Sequence, residues 1–363
     1  MSAIETAALP MESQNFQRLS FTGTAKEYFG IWIVNILLTI VTLGIYSAWA
    51  KVRRNRYFYG NTVLLGRAFE YHAKGKQIFI GRLIVFAYLV VYNILLTAFP
   101  IAGIALAVVI LFFFPWLIMR GLRFSARVTS YRNVRFDFAG KMGGAFVAFM
   151  AAPVMAFLSL GILAPLASRW MYRYMGNNLR YGGRAFATDP KLGPIYQTWF
   201  FSALIIVLGM LIVGVAVLAN VSVIAALIDN PDVISPEMNA SLFLLAVVGY
   251  LAVFLSFGIA GLFYRAGVRN IAWSSTVFDG RHVLKSDLSR FRYVWIAISN
   301  VIITILTLGL MRPWAAVRMA RYVNEHTAIR FDGDVGEILA AVEQEGTAVG
   351  AEFMEFEGFD FGF

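Results

Sequence analysis

Hydrophobic positions fall along this chain in two kinds of run. Three long stretches carry no charge: Leu83 to Met119, Ile195 to Ile228 and Met238 to Tyr264. A bilayer core needs about 20 consecutive apolar residues per helix. The stretches therefore predict four full helices. Residues 78–98 and 101–119 turn at Pro100, and residues 195–219 pair with 241–264. Three shorter apolar runs lie at 28–49, 144–167 and 293–311. The helix expected from Tyr28 to Thr42 is roughly 22 Å long at 1.5 Å per residue, short of the ~30 Å hydrocarbon core. Six alternating segments flank the short runs and predict strands: 18–24, 63–72, 131–140, 180–188, 276–280 and 327–332.

The short runs repeat one another. Residues 39–57 read TIVTLGIYSAWAKVRRNRY, 156–174 read AFLSLGILAPLASRWMYRY, and 304–322 read TILTLGLMRPWAAVRMARY. Aligned on Gly44, Gly161 and Gly309, each is preceded by leucine and followed by Arg56-Tyr57, Arg173-Tyr174 or Arg321-Tyr322. Gly66-Arg67-Ala68-Phe69 returns as Gly183-Arg184-Ala185-Phe186. The three glycines are 117 and 148 residues apart, too uneven for a solenoid array.

Of the 363 residues, 59% are hydrophobic and only 14% charged, which points to an integral membrane protein. The first 20 residues lack a basic start followed by an apolar core, so no cleaved signal peptide is expected. There is no cysteine, which excludes disulfides and thiol chemistry. The net charge of +10 is split. Nine of the 21 acidic residues lie beyond Arg330, leaving 31 basic against 12 acidic residues, a net of +19, in residues 1–330. In a membrane protein that excess implies cytoplasmic loops rather than nucleic acid as a partner.

Seven single crossings would put basic residues on both faces of the membrane around each short run. If each short run instead dips in and returns, bending at Gly44, Gly161 and Gly309, every basic cluster becomes cytoplasmic, as do both termini. We favour four spans and three re-entrant hairpins, with seven spans as the alternative. The fold class expected is an all-α polytopic membrane protein with three helical-hairpin repeats and small cytoplasmic β elements. Its parts are a polar tail (1–16), repeat units at 17–77, 121–191 and 265–332, transmembrane pairs at 78–120 and 192–264, and an acidic, Phe-rich tail (333–363).

Phe21-Thr22-Gly23, the stretch Leu43 to Arg53, Arg56-Tyr57, Phe69-Glu70-Tyr71, and Thr307-Leu308-Gly309 with Pro313-Trp314-Ala315 and Arg321-Tyr322 resemble the YjgN family of bacterial inner-membrane proteins, a domain of unknown function. The resemblance covers about residues 17–332. It implies a location in the bacterial cytoplasmic membrane and no established activity. The acidic tail is outside the pattern.

Candidate residues follow from the repeats. Arg53, Arg56 and Tyr57, with Arg169, Arg173 and Tyr174 and with Arg318, Arg321 and Tyr322, stand where helices leave the membrane. Two readings compete: arginine clamps on lipid phosphates or an anionic small molecule, and ordinary boundary charge with interfacial aromatics. Asn35 and Thr39, like Asn300 and Thr304, share a helical face. They line a polar path or hydrogen-bond between helices; Ala152 and Ala156 in the middle unit argue against a threefold pore. No catalytic set, metal spacing or phosphate loop is found, so no cofactor is expected. The function expected is non-enzymatic handling or transport of a lipid or other hydrophobic or anionic small molecule. The alternative is a scaffold that docks a protein partner through the β elements and acidic tail. An enzyme would have to use Glu70, Asp137 or Asp279 near the mouths. Oligomeric state is not legible.

Overall fold

The computed structural model describes residues 16–229 and 235–344. Its organising feature is one antiparallel sheet of eleven short strands. These are β1 (Gln17–Arg18), β2 (Ser20–Phe21), β3 (Thr62–Leu64), β4 (Arg67–Tyr71), β5 (Thr129–Tyr131), β6 (Val134–Phe138), β7 (Leu179–Tyr181), β8 (Arg184–Thr188), β9 (Thr276–Phe278), β10 (His282–Ser286) and β11 (Thr327–Arg330). From β2 to β11 every strand pairs with its neighbour in sequence. β1 and β2 are one extended segment broken at Leu19. Its first half pairs with β11 and its second with β3. The Leu19 amide donates to the Thr327 carbonyl at 2.9 Å, and Arg18 grips Asp287 with two bonds of 3.0 and 2.6 Å. The sheet thereby closes into a barrel-like ring.

This overturns the all-α expectation with its small β elements. The strand-like segments around residues 63–72, 131–140 and 180–188 are each two strands folded about a two-residue turn, which doubles the strand count. Leu65-Gly66, Arg132-Asn133 and Gly182-Gly183 all have positive φ. That is the turn whose twist matches paired strands. Arginine and leucine are poor residues for left-handed backbone, so these turns do not announce themselves. Asp279 and Gly280 make the fourth turn, one residue longer.

Along the meander, tight turns alternate with pairs of helices. All helices therefore leave from one end of the ring and all tight turns lie at the other. Five excursions result. The first is α1 (Ala25–Val41) with α2 (Ser47–Gly60), and the second is α3 (Gly75–Ala98) with α4 (Pro100–Arg127). In the third, α5 (Met142–Phe146), a π-helical turn (Val147–Ala151) and α6 (Ala152–Leu158) run as one arm against α7 (Ala164–Asn177). The fourth is α8 (Leu192–Ala219), α9 (Val221–Asp229) and α10 (Pro236–Ser274). The fifth is α11 (Arg290–Leu306) with α12 (Arg312–Glu325). Successive helices touch around the ring, and α12 meets α1. Among the described residues, α3, α4, α8 and α10 are the helices long and apolar enough to cross a bilayer.

The ring interior is a single apolar cluster. Leu64, Tyr131, Val134, Tyr181, Phe278 and Leu284 enter it from six strands. The Tyr181 hydroxyl donates to the Tyr131 carbonyl, and the Tyr131 hydroxyl to the Leu64 carbonyl. Burial raises the pKa of Tyr181. A last helix, α13 (335–344), completes the cluster. Its Leu339 and Val342 are buried there, and Val342 lies against Gly182, where a side chain would collide with it.

Candidate functional site

The three short excursions end in the same bend. Leu43, Leu160 and Leu308 take φ of 48, 52 and 49°, and Gly44, Gly161 and Gly309 take 93, 87 and 91°. The glycine amides reach back five residues, to the carbonyls of Thr39, Ala156 and Thr304, at 2.7 Å each. The leucine amides reach back three residues, at 3.0 Å each. This is the double bond pattern that closes a helix C-terminus, here with leucine in the left-handed position. Thr42, Ser159 and Thr307 then accept from the amides of Tyr46, Leu163 and Met311 and start the return helix. The leucines are 94, 93 and 95% exposed, more than any other large apolar residue described. Ile40, Val41 and Ile45, with their counterparts in the other two tips, are exposed beside them.

The Arg-Tyr pairs occupy the base of each hairpin. Tyr57, Tyr174 and Tyr322 donate to the carbonyls of Thr24, Lys141 and Ser289, the capping residues of their own first arms. Burial and the neighbouring Glu27 carboxylate push the Tyr57 hydroxyl up to about 12. Gly23 and Gly140 leave room for this contact, since a side chain there would strike the tyrosine oxygen. Arg56 and Arg321 instead reach the next excursion around the ring, donating to the carbonyls of Ala73 and Gly23 at 3.4 and 3.1 Å. Arg173 and Arg169 pair with Asp189 at 3.5 and 3.0 Å and hold that carboxyl below its usual range. Arg53 donates to the Tyr46 hydroxyl at 3.3 Å, and Arg318 to Ser299 and Asn300 at 2.8 and 3.1 Å.

Asn35 and Asn300 join the arms of their hairpins, donating to the carbonyls of Ala50 and Ala315 at 3.5 and 3.0 Å. Thr39 and Thr304 donate back to the carbonyls of those same asparagines. Of the acidic residues expected near the mouths, Asp137 pairs with Arg127, whereas Asp279 lies in the tight turn at the opposite end of the ring, paired with Arg184 and Arg281. Glu70 and Ser130 share one nitrogen of His72, Nε2, at 3.3 and 2.7 Å. A relay of the serine-hydrolase kind would use both ring nitrogens.

The structure also brings in residues that the threefold alignment missed. Pro115, Trp116, Arg120, Arg123 and Thr129, at the end of a transmembrane pair, have the spacing of Pro313, Trp314, Arg318, Arg321 and Thr327. Arg123 donates to the Gly140 carbonyl at 3.1 Å. Asn270, in the same position on α10, donates to the Leu288 carbonyl at 2.8 Å. Pro115, Pro165 and Pro313 are all fully buried. All five excursions therefore rest on the ring in one frame, each returning helix tied to the start of the next excursion. The signal was present as PWxxxRxxR at 115–123 and 313–321.

The acidic tail begins with α13, whose Leu339 and Val342 pack inside the ring. Its five phenylalanines, Phe353 to Phe363, lie outside the described residues.

A family model described as a bacterial protein of unknown function (DUF898) matches residues 16–356. A protein of Salmonella typhimurium named inner membrane protein YjgN is 24% identical over 357 residues, covering 88% of this chain and 90% of the relative. A protein of the same name from Escherichia coli strain K12 is 33% identical over 152 residues, covering 42% of this chain and 38% of the relative. No solved structure matches the chain.

Proposed function

The chain belongs to the DUF898 family, and we propose that it works in the bacterial inner membrane as a non-enzymatic lipid-handling protein. In this reading four helices span the bilayer and three hairpins dip into the cytoplasmic leaflet, holding lipid between them above the ring. The name of its relatives, inner membrane protein, supports the location. The observation that carries the reading is the pairing of strands on either side of each short excursion. β2 pairs with β3, β6 with β7 and β10 with β11. A single crossing would separate each pair by a bilayer, which counts against seven spans. A hairpin that stayed in water would leave three clusters of leucine, isoleucine, valine and phenylalanine exposed. Each fully buried side chain of this kind is worth about 1.5–3 kcal/mol in an apolar medium. The basic residues at the ring, beside the uncharged turn at Pro100 and the acidic Asp229 and Glu237, favour the ring facing the cytoplasm.

The natural cysteine-free background makes the test direct. Ile45, Ile162 and Leu310 are replaced singly by cysteine and labelled with an environment-sensitive fluorophore in reconstituted vesicles. Quenching by lipids spin-labelled on the acyl chain, with protection from iodide, is the expected result. Quenching by iodide alone at all three positions would overturn the proposal.

A further inference from the structure

Five excursions in the order short, long, short, long, short cannot alternate around a closed ring. The fifth and first, both short, are neighbours at the seam where α12 meets α1. A cavity of about 470 Å³ opens at that seam. Its lining includes Arg292, Arg318 and Arg321, the indoles of Trp295 and Trp314, and one carboxylate, Glu325.

The arginines are held in place without being neutralised. Arg318 lies over the Trp314 ring at 5.0 Å and is fixed by Ser299 and Asn300. Arg321 spends one nitrogen on the Gly23 carbonyl. Arg292 lies over the Tyr322 ring at 5.8 Å. None of the three has a carboxylate partner among the described residues. At the middle mouth, by contrast, Asp189 takes up both Arg169 and Arg173. A guanidinium set with free donors and fixed geometry suits phosphate oxygens. The lining also has apolar members, Ile296, Val317 and the exposed Trp295, and Phe291 and Ile302 are exposed elsewhere on α11.

We infer that the seam cavity binds the phosphate of an anionic amphiphile, with Arg292, Arg318 and Arg321 around the phosphate and Trp295 along the first carbons of its chain. This rests on the lipid-handling reading and names the ligand class and place. Hairpin depth is measured independently, so tips in lipid with an unresponsive seam would remove this inference alone.

The test uses the full-length protein in detergent and its tryptophan fluorescence. The probes are dioctanoyl phosphatidylglycerol, dioctanoyl phosphatidylcholine and inorganic phosphate. Saturable binding of phosphatidylglycerol is expected, at least tenfold tighter than phosphatidylcholine. It should weaken about tenfold in Arg292→Gln and further in Arg292→Gln with Arg318→Gln, and the Trp295→Phe variant should lose much of the signal. Glu325→Gln should tighten it about threefold, a gain that a merely structural arginine cluster would not produce. The Arg292 side chain makes no hydrogen bond among the described residues, and its amide bond to Ser289 survives substitution, so its variant is expected to fold even if the Arg318 variant does not. Equal binding of inorganic phosphate and phosphatidylglycerol would support the anion site and assign it to free phosphate. No saturable binding of either, or equal binding by wild type and Arg292→Gln, would overturn the inference.

Discussion

Truncating Leu339 to alanine should release α13 from the ring while leaving the strands paired. Leu339 is 4% exposed and sits among Leu64, Tyr131, Val134, Tyr181, Phe278 and Leu284. Three lost carbons remove about 2.4 kcal/mol at ~0.8 kcal/mol per methylene. A closed ring of strands collapses poorly onto a cavity, which moves the total to about 3 kcal/mol, within the range for such core truncations. A factor of ten corresponds to about 1.4 kcal/mol, so the open population should rise roughly a hundredfold. The chain has no lysine or arginine beyond Arg330, so trypsin cannot see this event. A glutamate-specific protease can, at Glu337. Where opening is fast relative to cleavage, the rate follows the open population. Cleavage at Glu337 should therefore rise roughly a hundredfold in Leu339→Ala. The exposed control Ala340→Ser loses only helix propensity, about 0.5 kcal/mol, and should change the rate about twofold. A rate within threefold of the unaltered chain for Leu339→Ala would refute burial of α13 inside the ring.

Three further outcomes are expected. Asn300→Ala should lower the melting temperature in detergent more than Asn35→Ala. The Asn300 bond to Ala315 is shorter and Arg318 donates to the Asn300 side-chain oxygen, whereas Oδ1 of Asn35 has no partner among the described residues; the difference should be about 1–2 kcal/mol, and the reverse order would contradict the packing described. His282 is fully buried, accepts the Asp332 amide on Nδ1, and has its pKa lowered first by burial and then by Arg281. The unfolded chain therefore binds more protons below pH ~6.5, so melting temperature should fall from pH 8 to 5.5, by less in His282→Asn. Arg18→Ala should loosen the ring closure by about 1 kcal/mol, since the pair is half exposed. Arg18 lowers the Asp287 pKa, so this stabilisation is present above pH ~3.9 and disappears on further acidification; hydrogen exchange at β1 and β11 should report both.

How much of this was legible depended on whether the signal was local. The four long helices follow directly from charge-free runs, and the Leu-Gly tips from a repeated dipeptide. Ring closure was not legible, because it rests on two residues, Gln17 and Arg18, pairing with Ile329 and Ala328 about 310 residues on. The common frame of the five excursions was half visible. Pro115-Trp116 and Arg123 carry it, but Phe124 and Ile271 replace the tyrosine, and Asn270 replaces the arginine. Those tyrosine-free positions belong to the long pairs. The hairpin mouths were legible as residue sets but not as roles. Arg56 and Arg321 each give one nitrogen, and the three tyrosines their hydroxyls, to backbone carbonyls inside the protein. α13 was hidden by its acidity: Val335, Ile338, Leu339 and Val342 form an i, i+3, i+4, i+7 stripe, which marks a buried helical face.

The odd number of excursions links fold to site. A tie from each returning helix to the next excursion recurs at all five positions of the ring, made by an arginine or, on α10, by Asn270. Away from the ring the excursions differ most plainly in length. Long pairs separate the first short hairpin from the second, and the second from the third. Nothing separates the third from the first. At that seam two hairpins face each other with no spanning helix between them, and the arginines there have no acidic partner such as Asp189 supplies at the middle mouth. The missing spanning pair and arginines without a carboxylate partner therefore coincide at this seam. A substitution that supplied the missing acid, Thr24→Asp at the lining of the cavity, would bring the seam closer to the charge state of the middle mouth. It keeps a residue able to cap α1, so it should abolish anion binding while leaving the melting temperature within about 1 °C, a shift corresponding to under ~1 kcal/mol for a chain of this length. Retained binding in that variant would mean that charge at the seam is not what selects the ligand.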